Sequence, residues 1–104
     1  MGRKRDIEIV REFKKKASKK MRIEKVILFG SRASGKIHKW SDFDIIVVSD
    51  KFRKIISYKR SPELYDYWDV DYPVDFLCYT PEEFKERANK VTIVREAERK
   101  GIVI

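Results

Sequence analysis

Apolar residues recur at helical spacing near both ends of the chain. Between Asp6 and Met21 they return every three or four residues, with charged residues on the other faces, which predicts an amphipathic helix capped by Asp6. Its apolar positions are Val10, Phe13, Ala17 and Met21. Near the C-terminus, Thr80-Pro81-Glu82-Glu83 has the pattern of a capping box and predicts a second helix that ends at Gly101. The apolar stripe of this helix is Phe84, Ala88, Val91, Val94 and Ala97.

Short runs of β-branched and other apolar residues predict strands between these helices. The runs are Lys25 to Phe29, which Gly30 ends, Phe43 to Val48, Val74 to Tyr79, and a short terminal piece from Ile102 to Ile104. Ser61-Pro62 also has the pattern of a helix start. Helices that alternate with strands predict an α/β fold, with helices packed against a small mixed sheet of three to four strands. A chain of 104 residues has room for a single domain spanning residues 1–104.

The composition narrows the class of protein. The chain is 42% hydrophobic and 12% aromatic, as expected of a globular protein, and no apolar run approaches the length that a bilayer requires. The N-terminus is basic and then amphipathic, unlike a signal peptide. Cys78 is the single cysteine, which excludes an internal disulfide. We therefore expect a cytoplasmic protein with no membrane partner, in which Cys78 faces away from Asp75 and packs in the core.

The net charge of +8 has two interpretations. A basic protein attracts phosphate, in nucleotides or in nucleic acid. Alternatively, the lysines at the end of the first helix form a solvated face, where the helix dipole favours cations. These lysines are Lys14, Lys15, Lys16, Lys19 and Lys20. We favour the solvated face, so the charge alone does not predict a groove for a polyanion.

The residues after the first predicted strand have the chemistry to contact phosphate. Gly30 allows the backbone to approach a ligand closely, and Ser31 can donate its hydroxyl hydrogen to a phosphate oxygen. Arg32 and Lys36 follow in the same loop and could neutralise a polyphosphate. The loop also has the P-loop spacing G-x-x-x-x-G-K, but Ile37 stands where that motif needs serine or threonine for magnesium. We therefore set the P-loop aside.

Three aspartates lie in or beside the predicted strands that follow. Asp42 and Asp44 are two positions apart, so their side chains project from one face of the second strand. Asp75 interrupts the apolar third strand. Each aspartate alone has an ordinary structural explanation, but together they converge in front of the Gly30 loop if the two strands are neighbours. Carboxylates about 5 Å apart repel by roughly 3 kcal/mol at an effective dielectric constant of 20, and hard cations such as Mg²⁺ or Mn²⁺ remove that cost.

As a set, these residues resemble the signature of the DNA polymerase beta-like nucleotidyltransferase superfamily. The signature elements are Gly30-Ser31, the eleven-residue step to Asp42, the pair Asp42-x-Asp44, and the later Asp75. The small size and the Gly-Ser-Arg-Ala-x-Gly pattern are similar to its smallest branch, the MNT (minimal nucleotidyltransferase) proteins. The similarity extends from the helix before the first strand to the helix after Asp75.

The resemblance implies an activity, a cofactor and a partner. The activity is transfer of a nucleoside monophosphate, with AMP from ATP as the expected case, to an acceptor hydroxyl. Asp42 and Asp44 would hold two Mg²⁺ ions, or Mn²⁺, Asp75 would help bind the catalytic ion, and Gly30 and Ser31 would bind the triphosphate. MNT proteins commonly act as antitoxins beside HEPN proteins, which are all-helical ribonuclease toxins. In the studied types they add AMP to a tyrosine of the toxin, so a HEPN-type protein is the expected partner.

Other functions stay open at this point. One is a non-catalytic antitoxin, a binding module that masks its partner, and another is a basic RNA-binding protein, although nucleic acid is not the favoured partner. A homo-oligomer is also compatible with the sequence. The aromatic residues between positions 58 and 72 could stack on a base or bind a partner, but we expect Tyr65 and Trp68 to pack against the sheet. His38 and Trp40 lie in the loop before Asp42, and we expect them at the surface.

Overall fold

The computed structural model describes residues 2–34, 42–90 and 93–104, which contain four strands and five α-helices. The strands are β1 (Lys25–Phe29), β2 (Phe43–Val48), β3 (Val74–Tyr79) and β4 (Ile102–Val103). The helices are α1 (Gly2–Ala17), α2 (Ser31–Ser34), α3 (Pro62–Tyr65), α4 (Pro81–Ala88) and α5 (Ile93–Lys100). In these ranges, no helix has both the length and the apolar character needed to cross a bilayer.

The four strands form one mixed sheet in the order β3-β2-β1-β4. β1 runs antiparallel to β2 and to β4, whereas β2 and β3 are parallel. Asp44 of β2 lies opposite Phe29 of β1 on one side and opposite Asp75 of β3 on the other. The predicted α/β fold with a small mixed sheet is confirmed, including the short terminal strand.

Helices cover both faces of the sheet, which explains why β2 is almost continuously apolar. Phe43, Ile45 and Val47 of β2 pack on one face, with the apolar stripe of α1; this is the α1 face. Ile46 and Val48 pack on the opposite face with residues of α4 and α5; this is the α4–α5 face. Because side chains alternate along a strand, Asp44 and Asp75 both project from the α4–α5 face.

Helix α1 has the predicted apolar stripe, but Asp6 does not cap it. The helix begins at Gly2, which places Asp6 inside it and on the same stripe as Val10 and Phe13. The Asp6 side chain is 5% exposed and is paired with Arg32, also 5% exposed, at 3.0 Å. A buried carboxylate requires such a countercharge, so this pair replaces the predicted cap.

The C-terminal segment contains two helices where the sequence pattern predicts one. The capping box is confirmed, since the Thr80 hydroxyl accepts from the Glu83 amide and the Glu83 carboxylate accepts from the Thr80 amide. However, α4 ends at Ala88, and α5 begins at Ile93. A straight helix of this length would extend about 30 Å, past the small sheet. Breaking it lets Phe84 of α4 and Val94 of α5 bury in the same core cluster.

The aromatic segment before β3 packs largely as predicted. Trp68 lies against Phe13, Phe43 and Phe76, and its indole nitrogen donates to the Tyr72 carbonyl at 2.8 Å. Tyr65 contacts the Phe76 ring but remains 46% exposed, so its packing is only partial. Cys78 lies on the α1 face, opposite Asp75, as predicted. Burial raises the pKa of the Cys78 thiol to about 12.

Candidate active site

Two aspartates lie side by side where β2 and β3 run in parallel. The register pairs Asp44 directly with Asp75, and neighbouring strands are separated by about 4.8 Å. Asp44 is half-buried and Asp75 is exposed. Asp42 is exposed and lies immediately before β2, two positions from Asp44. The predicted meeting of Asp44 and Asp75 on one face of the sheet is therefore confirmed.

The electrostatics of this cluster make an ionised Asp44 costly. Burial, and then the negative charges of Asp75 and Asp42, raise the pKa of the Asp44 carboxyl above its ordinary value of 3.8. Asp42 is the smallest of these three causes, and its carboxylate lies close enough to Asp44 to act on it. A positive charge bound here would relieve the repulsion, which is the chemical reason to consider the cluster a ligand site.

Gly30 closes one side of the cluster. Its φ of +76° is in the left-handed region that glycine adopts without strain. A methyl group on its Cα would lie 3.3 Å from Cγ of Asp44 and would overlap the carboxylate oxygen Oδ2. Glycine is thus required by the backbone conformation and by the close approach of the Asp44 carboxylate.

Asp44 and Asp75 open into a cleft of about 630 Å³. Gly30 and the α2 residues Ala33 and Ser34 also line the cleft. Helix α5 and the residue after it contribute Glu96, Ala97, Lys100 and Gly101 to the lining. A volume of this size is within the range typical of small-molecule and cofactor sites.

Arg32 does not have the role that its sequence position suggested. Its guanidinium donates to both oxygens of Asp6, at 3.0 and 3.1 Å, and stacks over the Phe43 ring 4.2 Å from its centroid. The residue is only 4% exposed. An arginine that is bound to a buried carboxylate stabilises the fold, and Arg32 is not among the residues that line the cleft. The structure therefore corrects the prediction that Arg32 contacts the triphosphate. Lys36, the other predicted phosphate contact, lies outside the described residues, as do His38 and Trp40.

The structure adds residues to the site that the sequence did not single out. Ser34 lines the cleft one helical turn beyond Ser31, which begins α2 beside Gly30. Glu96 and Lys100 reach the same cleft from α5, more than twenty residues after Asp75. Their i, i+4 spacing is ordinary for a surface helix, so no sequence signal distinguished them from other solvated pairs.

The carboxylate pair has the oxygen donors that Mg²⁺ and Mn²⁺ prefer. Nevertheless, across the described parts of the chain no three Asp, Glu, His or Cys side chains lie close enough together to form a metal-binding set. Asp44 and Asp75 thus fit part of the predicted metal site, and the three-ligand site with Asp42 stays a prediction.

Comparisons with known proteins agree with the chemistry of this cleft. Residues 8–100 match the family model described as the nucleotidyltransferase domain. Over 76 residues the chain is 33% identical to MntA of Haemophilus influenzae, assigned as a protein adenylyltransferase, covering 71% of this chain and 67% of MntA. The crystal structure of a protein of Sulfolobus solfataricus assigned to the nucleotidyltransferases matches with a TM-score of 0.70 and 20% identity, covering 98% of this chain and 81% of that one. At this identity the structural match shows a shared fold alone.

Proposed function

Since the chain belongs to the nucleotidyltransferase domain family, as an MNT-type minimal nucleotidyltransferase, we propose that it transfers AMP from ATP to a hydroxyl of a helical HEPN-type toxin and acts as its antitoxin. The pairing of Asp44 with Asp75 in a cleft next to Gly30 is the observation that carries the proposal. The relative MntA, assigned as a protein adenylyltransferase, supports AMP as the group transferred and a protein as the acceptor. The proposal includes a cytoplasmic location, because ATP is available there.

The chain's own residues have distinct parts in the proposed reaction. Gly30, without a side chain, lets the Asp44 carboxylate lie against the backbone at the cleft where the triphosphate would bind, and the Ser31 hydroxyl, at the start of α2, would donate to a phosphate oxygen. The acceptor oxygen attacks the α-phosphorus, the bond to the β-phosphate breaks, and pyrophosphate leaves. Asp75, exposed in the cleft, accepts the proton of the attacking hydroxyl. Mg²⁺ or Mn²⁺ would be held by the paired Asp44 and Asp75, with Asp42 drawn in as the predicted third ligand, and would supply the charge neutralisation that phosphoryl chemistry requires.

Transfer to a partner protein tests the proposal directly. The purified chain is incubated with Mg²⁺, α-labelled ATP and the protein product of the neighbouring open reading frame, and label on that protein is measured. We expect label with the wild type and none above background with Asp44→Asn. Asp50→Asn is the matched control, because Asp50 follows the opposite end of β2 and is paired with Arg53 rather than with the cluster. Equal labelling by wild type and Asp44→Asn would refute the proposed chemistry.

The same experiment separates the proposal from a binding module that only masks its partner. If the wild type and the Asp44→Asn variant neutralise the partner in cells equally well, the antitoxin effect does not depend on transfer of AMP. Binding of RNA that weakens steeply with added salt, without label on any protein, would instead favour a nucleic-acid function of the basic surface.

A further inference from the structure

We propose that Lys100 of α5 binds the triphosphate of the nucleotide and exchanges its contact with Glu96 for a phosphate oxygen when the nucleotide enters. This inference rests on the proposed function, because it names the cation that recognises the nucleotide in the same cleft. Neither residue belongs to the set of aspartates, glycine and serine that the sequence pattern predicted.

The charge balance of the cleft motivates this assignment. A nucleoside triphosphate carries several negative charges, and the cleft already contains the carboxylates of Asp44, Asp75 and Glu96. Among the described residues that line it, Lys100 is the one lysine or arginine. Arg32, which lies only two residues after Gly30 in the sequence, is buried against Asp6. Charge-assisted hydrogen bonds from a cation are the usual means of binding a phosphate in such surroundings, and Lys100 is placed to make them.

The backbone of Lys100 is held firmly at the wall of the cleft. Ala97, one turn earlier on α5, is 2% exposed and packs on the α4–α5 face. Gly101 follows directly, and a methyl group on its Cα would lie 2.6 Å from Cγ2 of Ile27 and 3.0 Å from the Leu28 carbonyl oxygen. The end of α5 is therefore fixed against β1, the strand that places Phe29 opposite Asp44. A long, flexible side chain on such a fixed point can reach across the cleft without a change in the fold.

Glu96 is the present partner of Lys100, and the contact is weak enough to exchange. Nζ of Lys100 lies 3.3 Å from Oε2 of Glu96, and the two side chains are 79% and 59% exposed. Exposed i, i+4 pairs of this kind contribute little to stability. A triphosphate carries several negative charges and competes effectively with a single carboxylate for the ammonium group. Glu96 then remains beside the nucleotide and repels it.

The chain offers a closely matched control for this idea. Lys90 forms the same i, i+4 pair with Glu86, at 3.1 Å and with side chains that are 64% and 68% exposed, but neither residue lines the cleft. Lys100→Gln and Lys90→Gln therefore each remove one positive charge and one exposed i, i+4 ion pair. Lys90 lies just beyond the end of α4 and away from the cleft, whereas Lys100 is the last residue of α5 and lines the cleft.

The test measures binding of ATP by calorimetry and, separately, KM and kcat for transfer. We expect Lys100→Gln to weaken ATP binding and raise KM about tenfold with little change in kcat, as for loss of one hydrogen bond between charged groups. Lys100→Arg is expected to retain most of the binding, Glu96→Gln to bind ATP about two- to threefold more tightly by removing a nearby negative charge, and Lys90→Gln to behave as the wild type.

The outcomes separate this inference from the proposed function. ATP binding by Lys100→Gln equal to that of the wild type, or an equal loss with Lys90→Gln, would overturn the role of Lys100. Weaker ATP binding by Glu96→Gln would overturn the exchange with Glu96. If the wild type binds ATP but transfers no AMP, the proposed reaction fails, while the comparison of binding still decides the role of Lys100.

Discussion

Replacing Gly30 with alanine should disable the site with only a moderate loss of stability. The added methyl group meets two obstacles, the left-handed backbone conformation at φ +76° and the carboxylate of Asp44. The first costs about 1–2 kcal/mol for a residue with a Cβ. The second is relieved if the Asp44 side chain rotates away, because the overlapping atom is the end of a side chain rather than backbone.

Because the Asp44 side chain can rotate away from the added methyl group, Gly30→Ala should reduce activity more than stability. We expect Gly30→Ala to lower the free energy of unfolding by about 1–2 kcal/mol, mainly from the backbone. The displaced carboxylate no longer pairs with Asp75 as β2 and β3 dictate. A misplacement of about 1 Å at a reacting centre costs roughly a hundredfold in rate, so we expect transfer to fall by about that factor.

A double-mutant cycle separates the two obstacles. Urea unfolding is measured for Gly30→Ala in the wild-type background and again in an Asp44→Ala background, where the carboxylate is absent. The backbone cost should remain in both, and any additional loss in the wild-type background measures the collision. Full stability and full transfer activity in Gly30→Ala would refute the inference that glycine is required beside Asp44.

Three further predictions test the electrostatics and the core. Because the folded-state pKa of Asp44 is raised, its ionisation costs stability as the pH rises above 3.8. Asp44→Asn should therefore raise stability at pH 7 by about 0.5–1 kcal/mol after solvent screening, and this gain should vanish below pH 3.8 in thermal unfolding. Arg32→Met should cost about 3–5 kcal/mol in urea unfolding by leaving Asp6 buried without its countercharge, and adding Asp6→Leu should recover most of that loss; no recovery would contradict the pairing. Cys78, with a pKa of about 12, should resist thiol reagents at pH 8 until the protein is unfolded, and rapid labelling of the native protein would contradict its burial.

Local sequence patterns predicted the parts of the site that lie close together in the chain. The strands and their aspartates were recognisable from the sequence, which predicted that Asp44 and Asp75 would converge if β2 and β3 were neighbours, and the parallel pairing of these strands meets that condition. Gly30 was predictable because a glycine between a strand and a helix indicates a special backbone conformation. These features depend on periodicity, which the sequence displays directly.

Features that depend on packing between distant segments were not predictable in this way. An arginine in the loop after Gly30 is expected to contact phosphate. Instead, the Arg32 guanidinium donates to Asp6, which lies in the core on α1, 26 residues earlier in the chain. The apolar stripe from Phe84 to Ala97 is continuous by spacing, and no local signal predicted that α4 would end at Ala88 so that Phe84 and Val94 bury in one core cluster. The place of Lys100 in the cleft similarly follows from the return of α5 onto β1.

The central claim is that Asp44 and Asp75 act as one unit in nucleotidyl transfer. Single-turnover transfer from α-labelled ATP tests it most directly when the wild type, Asp44→Asn, Asp75→Asn and the double variant are compared. Groups that act together give strongly non-additive losses, so each single variant should fall to the same low rate as the double variant. Independent, multiplicative losses, or a double variant that transfers at the wild-type rate, would contradict the account.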